Sequence, residues 1–543
     1  MDVRLVLVLC VLTGAVSPDS ASGKSRSCTA FRQFYSTKGF AMLGVPMAQI
    51  SGEHLRVCQQ GYTCCTSQIE DNLSNLSRKE FEDQVKESGH TLQVTLNSQY
   101  KSFDGYFLEL LNRSETSLSA SLQSTFGLLF SQNAQLFRDL YSDLRQYYRG
   151  SKMNLEEALN DFWARLLERL VRGLNKRYSM GEDYLECVAK QAETSRPFGE
   201  TVRDFKLKVT RTFVAARSFV QGLVIAGEVV RKVSQVPLSV ECVHALMKQT
   251  YCPQCKDLAW AKPCVPYCRN VMKGCLANQA DLDTEWKNLA DAMVMVADRL
   301  SRPYSVDAAI MSLPKRIADA IIYMQDNLNT FNNKVFQACG VPPENPIPYE
   351  PNKRVESFAD VSSTSGTSVE KLLADISRKI RNMMQYWIQL PTKLCVDREA
   401  KGSDENKCWN GMAIDRYLPE IIGDGLANQI NNPEVEIDIT KPDMIIRQQI
   451  MQLKIMTSRM KNAINGNDVD FQDASDDISG SGSGMCNDDQ CVHNQQIMVR
   501  STRRPRVYSN ASVNKNEVKG DGRRILPCTA VYLLSLATVL LRR

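Results

Sequence analysis

Three serines in the stretch FQDASDDISGSGSGMCNDDQC, namely Ser479, Ser481 and Ser483, are each followed by glycine. Such hydroxyls can act as acceptors. A glycosyltransferase that builds on serine needs it on an extended, accessible backbone, and a neighbouring glycine removes side-chain obstruction. Asp470, Asp473, Asp476 and Asp477 lie just before them and can dock in a basic transferase cleft, which a plain Gly/Ser linker does not offer. The isolated Ser365-Gly366 pair lacks both the repetition and the acids. The three serines therefore read as glycosaminoglycan attachment sites on a segment that is mechanically a linker.

Enzymatic chemistry has little to stand on. The four histidines, His54, His90, His244 and His493, form no HExxH arrangement, and no GxSxG or phosphate-loop pattern occurs. Carboxylates are plentiful, but nothing singles out a pair for acid/base work. No catalytic residue, metal ligand or cofactor is assigned. The CPQC stretch from Cys252 to Cys255 could in principle hold a metal or a dithiol switch. The neighbouring Cys264, Cys268 and Cys275 bring no histidine at finger spacing, so structural disulfides are the better reading. Eighteen cysteines occur; Cys10 and Cys528 fall in the terminal signals, which leaves an even sixteen for an oxidised ectodomain. Adjacent Cys64 and Cys65 do not suit a mutual bond and should each reach a distant partner.

The two ends supply the address. Arg4, an apolar run from Leu5 to Leu12 and small residues beyond it have the layout of a secretory signal peptide, assigned to residues 1–23. The apolar run from Ile525 to Leu541, broken by Pro527, reads as a GPI-anchor signal at 521–543, with attachment at Gly520 or Asn510. A single-pass helix is the alternative, and 17 residues stand at the bottom of its length range. The expected location is the extracellular face of the plasma membrane, with a shed form as the alternative. Acceptors for N-glycans are Asn72, Asn75 and Asn112, with Asn510 close to the membrane. A net charge of +5 over 543 residues does not imply nucleic acid, and no nucleic-acid partner is expected.

The elements that must carry these sites are helical. LEEALNDFWARLLERL sets Leu155, Leu159, Phe162, Trp163, Leu166, Leu167 and Leu170 on one face. QLFRDLYSDLRQYY does the same with Leu136, Phe137, Leu140, Tyr141 and Leu144. IIRQQIMQLKIMTSRMKNAI spaces Ile446, Ile450, Leu453, Met456, Met460 and Ile464 by three or four. Period-two alternation is rare, so the class is mainly α. A helical body is assigned to residues 24–470, with a mobile Pro/Ser-rich loop at about 340–367 and a flexible stalk at 471–520.

Five stretches then carry a resemblance: ISGEHLRVCQQGYTCCT from Ile50, AARSFVQGL from Ala215, YCRNVMKGCLANQADLD from Tyr267, CWNGMA from Cys408 and GDGLANQINNPEVEIDITKPDM from Gly423. Together with the serine-glycine repeat and the two terminal signals, they make the chain resemble the glypicans, GPI-anchored heparan sulfate proteoglycans. The resemblance implies an elongated, all-helical core stabilised by fourteen disulfide-bonded cysteines, followed by a disordered C-terminal stalk. It implies the pairs Cys28 with Cys64, Cys58 with Cys252, Cys65 with Cys255, Cys187 with Cys339, Cys242 with Cys275, Cys264 with Cys408, and Cys268 with Cys395. It also implies a non-enzymatic co-receptor. Its heparan sulfate would bind growth factors and morphogens of the fibroblast growth factor, Wnt, Hedgehog and bone morphogenetic protein classes and present them to their receptors, while its anchor holds the outer leaflet. A protein-only binding module and a secreted hydrolase are the rival readings.

Overall fold

The computed structural model describes residues 27–59, 61–302, 305–345, 369–396 and 407–468. The signal, the stalk with its serines and both anchor candidates lie outside them. The chain begins with α1 (Thr29–Thr37) and a two-stranded antiparallel ribbon, β1 (Ile50–Ser51) and β2 (Tyr62–Thr63), in which Ile50 faces Thr63. Then comes α2 (Ser67–Phe126), sixty residues without a proline and about 90 Å long. Thr66 starts it by accepting a hydrogen bond from the Ile69 N–H. Gly127, at φ +50° and ψ −114°, ends it and turns the chain back into α3 (Leu128–Tyr148).

Next come α4 (Leu155–Leu174), capped by Asn154, α5 (Glu182–Ser195) and α6 (Thr201–Val233). The cysteine-rich middle holds α7 (Val240–Thr250), α8 (Cys252–Cys255), α9 (Val265–Cys275) and α10 (Ala277–Ala280). After it follow α11 (Asp283–Ser301), α12 (Val306–Met311), α13 (Leu313–Asp326), α14 (Leu328–Cys339), α15 (Val369–Asn382) and α16 (Tyr386–Cys395). A 3-10 turn (Leu426–Asn431) precedes α17 (Met444–Ile464), which Asp443 caps.

Burial sorts these elements around two apolar clusters. In the first, α6 is the axis. It is the one helix among the described residues long and apolar enough to cross a membrane, yet 72% of its most apolar window is buried in the body. A helix apolar all round needs neighbours all round: α2, α11 and α17 pack along it, with α3, α4 and α13 beside them. The α4 stripe is buried from Leu155 to Leu174, and each such large apolar side chain contributes about 1.5–3 kcal/mol relative to exposure. Where α2 crosses the end of α6 the backbones come close: a Cβ on Gly89 would collide with Ser234 Oγ and sit 2.9 Å from Ser234 Cβ.

The second cluster is built on cysteines. It takes in α1, the first turns of α2 through Ile69, Leu73, Phe81 and Val85, the helices α7 to α9, and the 408–435 segment. Glu70 is 3% exposed, and its carboxylate accepts the backbone N–H groups of Arg56, Val57 and Cys58, which pins the loop ahead of α2. Asn270, fully buried, donates to the Glu420 carbonyl and the Tyr417 hydroxyl and accepts from the Ile422 N–H, which fixes the later segment on α9. The helix α2 serves both clusters, its first turns one and Leu92 to Leu122 the other. Residues 340–345, where the sequence points to the start of a mobile loop, are held: Asn345 N–H donates to the Arg177 carbonyl and Ser179 N–H to the Pro343 carbonyl. Residues 346–368 lie outside the described residues.

Candidate functional site

The fourteen cysteines from Cys28 to Cys408 form seven bridges: Cys28–Cys64, Cys58–Cys252, Cys65–Cys255, Cys187–Cys339, Cys242–Cys275, Cys264–Cys408 and Cys268–Cys395. They are the pairs that the family resemblance implies. Both sulfurs of CPQC are committed, one to Cys58 and the other to Cys65, so neither is available to a metal or a dithiol couple. Backbone contacts reinforce the bridge: Cys64 N–H donates to the Cys255 carbonyl at 2.7 Å. This lobe fixes the N-terminal segment to α7 and α8 across more than 190 residues of chain.

Among the described residues the N-glycan acceptors Asn72, Asn75 and Asn112 sit on α2. Asn75 is exposed. Asn112 is also exposed, and its carbonyl oxygen accepts from Arg145 of α3 at 2.7 Å, so the amide nitrogen is the end left to carry a sugar. Asn72 is half-buried, and its amide nitrogen, the atom a glycan would replace, donates to the Tyr35 hydroxyl at 2.8 Å. In a helix the acceptor asparagine and the serine two residues on face different sides. Ser77 and Ser114, the serines that complete the Asn75 and Asn112 acceptor sequences, are buried at 4% and 0% exposure. Any transfer to these asparagines therefore belongs to the chain before α2 forms.

The serine-bearing segment leaves the described body at the end of α17. Gly466, at φ +82°, closes that helix, and Asn465, Gly466 and Asn467 return their N–H groups to the carbonyls of Asn462, Ala463 and Asn462. Asp468 lies against Tyr147, whose phenol is raised first by burial and then by this carboxylate, with Arg217 opposing. Arg217, 5% exposed, stands over the Tyr147 ring at 4.6 Å. Ser479 is eleven residues beyond Asp468, at most about 40 Å of extended chain.

Beside that exit, α6, α11 and α17 leave a cleft of ≈ 220 Å³ lined by Arg211, Thr212, Ala215, Val296, Arg299, Leu300 and residues 463–465. Nothing in the sequence pointed to it, because its residues come from three helices far apart in the chain. A second, narrow and mainly apolar opening at the α2–α3 turn is lined by Leu122, Phe126, Phe130, Phe137, Leu166, Leu170 and Ile321, with Asn133 and Arg169 also on its wall. Ser479, Ser481, Ser483, Asn510 and Gly520 lie outside the described residues.

A family model described as Glypican matches residues 8–541. Glypican-1 of Gallus gallus is 52% identical over 539 residues, which covers 98% of this chain and 98% of that one. The crystal structure of full-length glypican-1 core protein superposes with a TM-score of 0.76 at 53% identity, covering 82% of this chain and 100% of that chain. Dally-like protein, solved in complex with O-palmitoleoyl serine, superposes with a TM-score of 0.64 at 30% identity over 82% of this chain and 100% of that chain. With half its residues shared along nearly the whole length and a mainly helical body closed by seven disulfides, the chain belongs to the glypican family.

Proposed function

We propose that the protein is a GPI-anchored heparan sulfate proteoglycan of the cell surface. In this reading it binds growth factors and morphogens of the fibroblast growth factor, Wnt, Hedgehog and bone morphogenetic protein classes through its sulfated chains and acts as their co-receptor. The family is one of non-enzymatic proteoglycan scaffolds with a general co-receptor role. The observation that carries the finer reading is the triple serine-glycine repeat shortly after the exit of α17, with aspartates ahead of it. Chains on Ser479, Ser481 and Ser483 would stand between the body and an anchor at Gly520 or Asn510 in the outer leaflet. Their charge attracts basic ligands with release of counterions, and a polymer of many sites raises ligand concentration near a receptor. The test is the mass of the purified ectodomain, wild type against Ser479→Ala, Ser481→Ala and Ser483→Ala together. A broad high-mass smear that collapses to a sharp band supports attachment, and an unchanged mass refutes it.

A second reading draws on the apolar opening at the α2–α3 turn and on the relative solved with an O-palmitoleoyl group. An acyl chain on a ligand would enter there after α3 swings outward at Gly127, since the space is now only ≈ 20 Å³. Ligand capture that survives heparan lyase digestion favours this second mode, and capture lost on digestion favours the sugar alone.

A further inference from the structure

We propose that the cleft between α6, α11 and α17 is an anion subsite for a saccharide of the protein's own glycosaminoglycan, so that the first units of the sulfated chain lie back against the helical body. This rests on the reading of the three serines as attachment sites.

The lining has the chemistry of a sulfate or carboxylate receptor. Arg299 of α11 brings a guanidinium group to it, and Asn465 brings an amide. Guanidinium groups match sulfate and carboxylate oxygens in a fixed fork geometry. Thr212 is 3% exposed and its hydroxyl makes no hydrogen bond, so the wall contains a donor in want of an acceptor. Among the described residues no carboxylate lines the cleft. Asp298 and Asp468 are the acids nearest in sequence to its residues, and neither is among the lining. The end of α17 would ordinarily oppose an anion, because the last carbonyls of a helix carry partial negative charge. Here the carbonyls of Asn462 and Ala463 are already taken by N–H groups of the closing turn, which offsets that opposition.

Position supplies the occupant. Asn465 stands fourteen residues before Ser479, a tether of at most about 50 Å. A ligand on so short a tether has an effective concentration on the order of millimolar, so even a weak intrinsic affinity keeps the subsite filled.

The test uses the whole ectodomain with Ser479, Ser481 and Ser483 changed to Ala, so that no attached chain competes. It is titrated with a heparin-derived hexasaccharide and, separately, with inorganic sulfate, at low and at physiological salt. The hexasaccharide is expected to bind more tightly than sulfate. Arg299→Ser should weaken it about tenfold and lower the slope of log affinity against log salt by about one. Thr212→Val keeps the side-chain shape and removes an unsatisfied hydroxyl, so folding is preserved. It should weaken binding about threefold without changing the slope, which a merely structural residue would not do. Unchanged binding in both variants, or sulfate bound as tightly as the hexasaccharide, overturns the subsite. In the chain-bearing protein, amide exchange at 463–466 should quicken after heparan lyase; exchange indifferent to lyase overturns occupancy by the protein's own chain. A protein found to carry no glycosaminoglycan defeats the functional reading while leaving the titration result as it stands.

Discussion

The bridges Cys58–Cys252 and Cys65–Cys255 close almost the same circuit, spanning 194 and 190 residues. Either one, alone in the unfolded chain, restricts a loop of that size and contributes about 5 kcal/mol on the chain-entropy model. Once one is present, the other closes only a small ring, seven residues between Cys58 and Cys65 and three between Cys252 and Cys255, worth about 3 kcal/mol. Removing either bridge by a paired Cys→Ala change should therefore cost about 3 kcal/mol of chain entropy, and removing both about 8. The loss of the two together exceeds the separate losses by about 2 kcal/mol. Direct costs of deleting buried sulfurs largely cancel in this cycle, which matters because Cys65 and Cys255 are fully buried. The assay is urea unfolding followed by far-ultraviolet circular dichroism on the four proteins under oxidising conditions. A double removal that costs no more than its parts would refute the reasoning, because the bridges would then act locally and not through the shared loop.

Gly89→Ala should lower the melting temperature, by an overpacking cost of about 1–3 kcal/mol that outweighs the helix propensity gained in α2. Adding Ser234→Ala removes the hydroxyl in the way and should restore part of the loss. Burial pushes the Glu434 carboxyl above its ordinary 4.5, against the hydrogen bond it receives from Tyr417. The folded state then holds a proton that the unfolded chain has released. This contribution is full below 4.5 and is lost as pH rises through the folded value. Between neutral pH and pH 4.5, the wild type should gain stability on acidification relative to Glu434→Gln. Parallel melting curves for the two would contradict that assignment.

Amphipathic stripes were the legible part of the fold. All seven residues read on the α4 face are buried, because a helix covered on one side writes its burial as a period of three and four. The α17 stripe was legible only in part. Ile450 and Ile464 are half-buried while Gln449 and Thr457 are buried, since this helix packs on both α6 and α11 and covers more than one apolar face. The length of α2 was not legible: one buried stripe runs from Ile69 to Leu122 at spacings of three and four, but Ser77, Ser88, Gln99, Ser114 and Ser121 occupy positions along it and interrupt the apolar signal. The cysteine pairs could not come from spacing, because many connectivities satisfy fourteen cysteines; only the family likeness implied them. The cleft beside the stalk was invisible for a simpler reason. Arg211, Arg299 and Asn465 share no local pattern and meet only when three helices have packed.

The twin bridges also set a timetable for biosynthesis. On the proposed secretory route, Cys58 and Cys65 enter the lumen roughly 190 residues ahead of Cys252 and Cys255. At ribosomal speeds of about 5–20 residues per second, the interval is on the order of 10–40 s. Until Cys187 follows, Cys28, Cys58, Cys64 and Cys65 can oxidise only with one another, and of the bonds open to them only Cys28–Cys64 is kept in the folded protein. Oxidising all four early would leave Cys58 joined to Cys65, a bond that must be reopened by thiol exchange before α8 can be stapled in place. Export of this chain should therefore depend on disulfide isomerase capacity more than on oxidant supply.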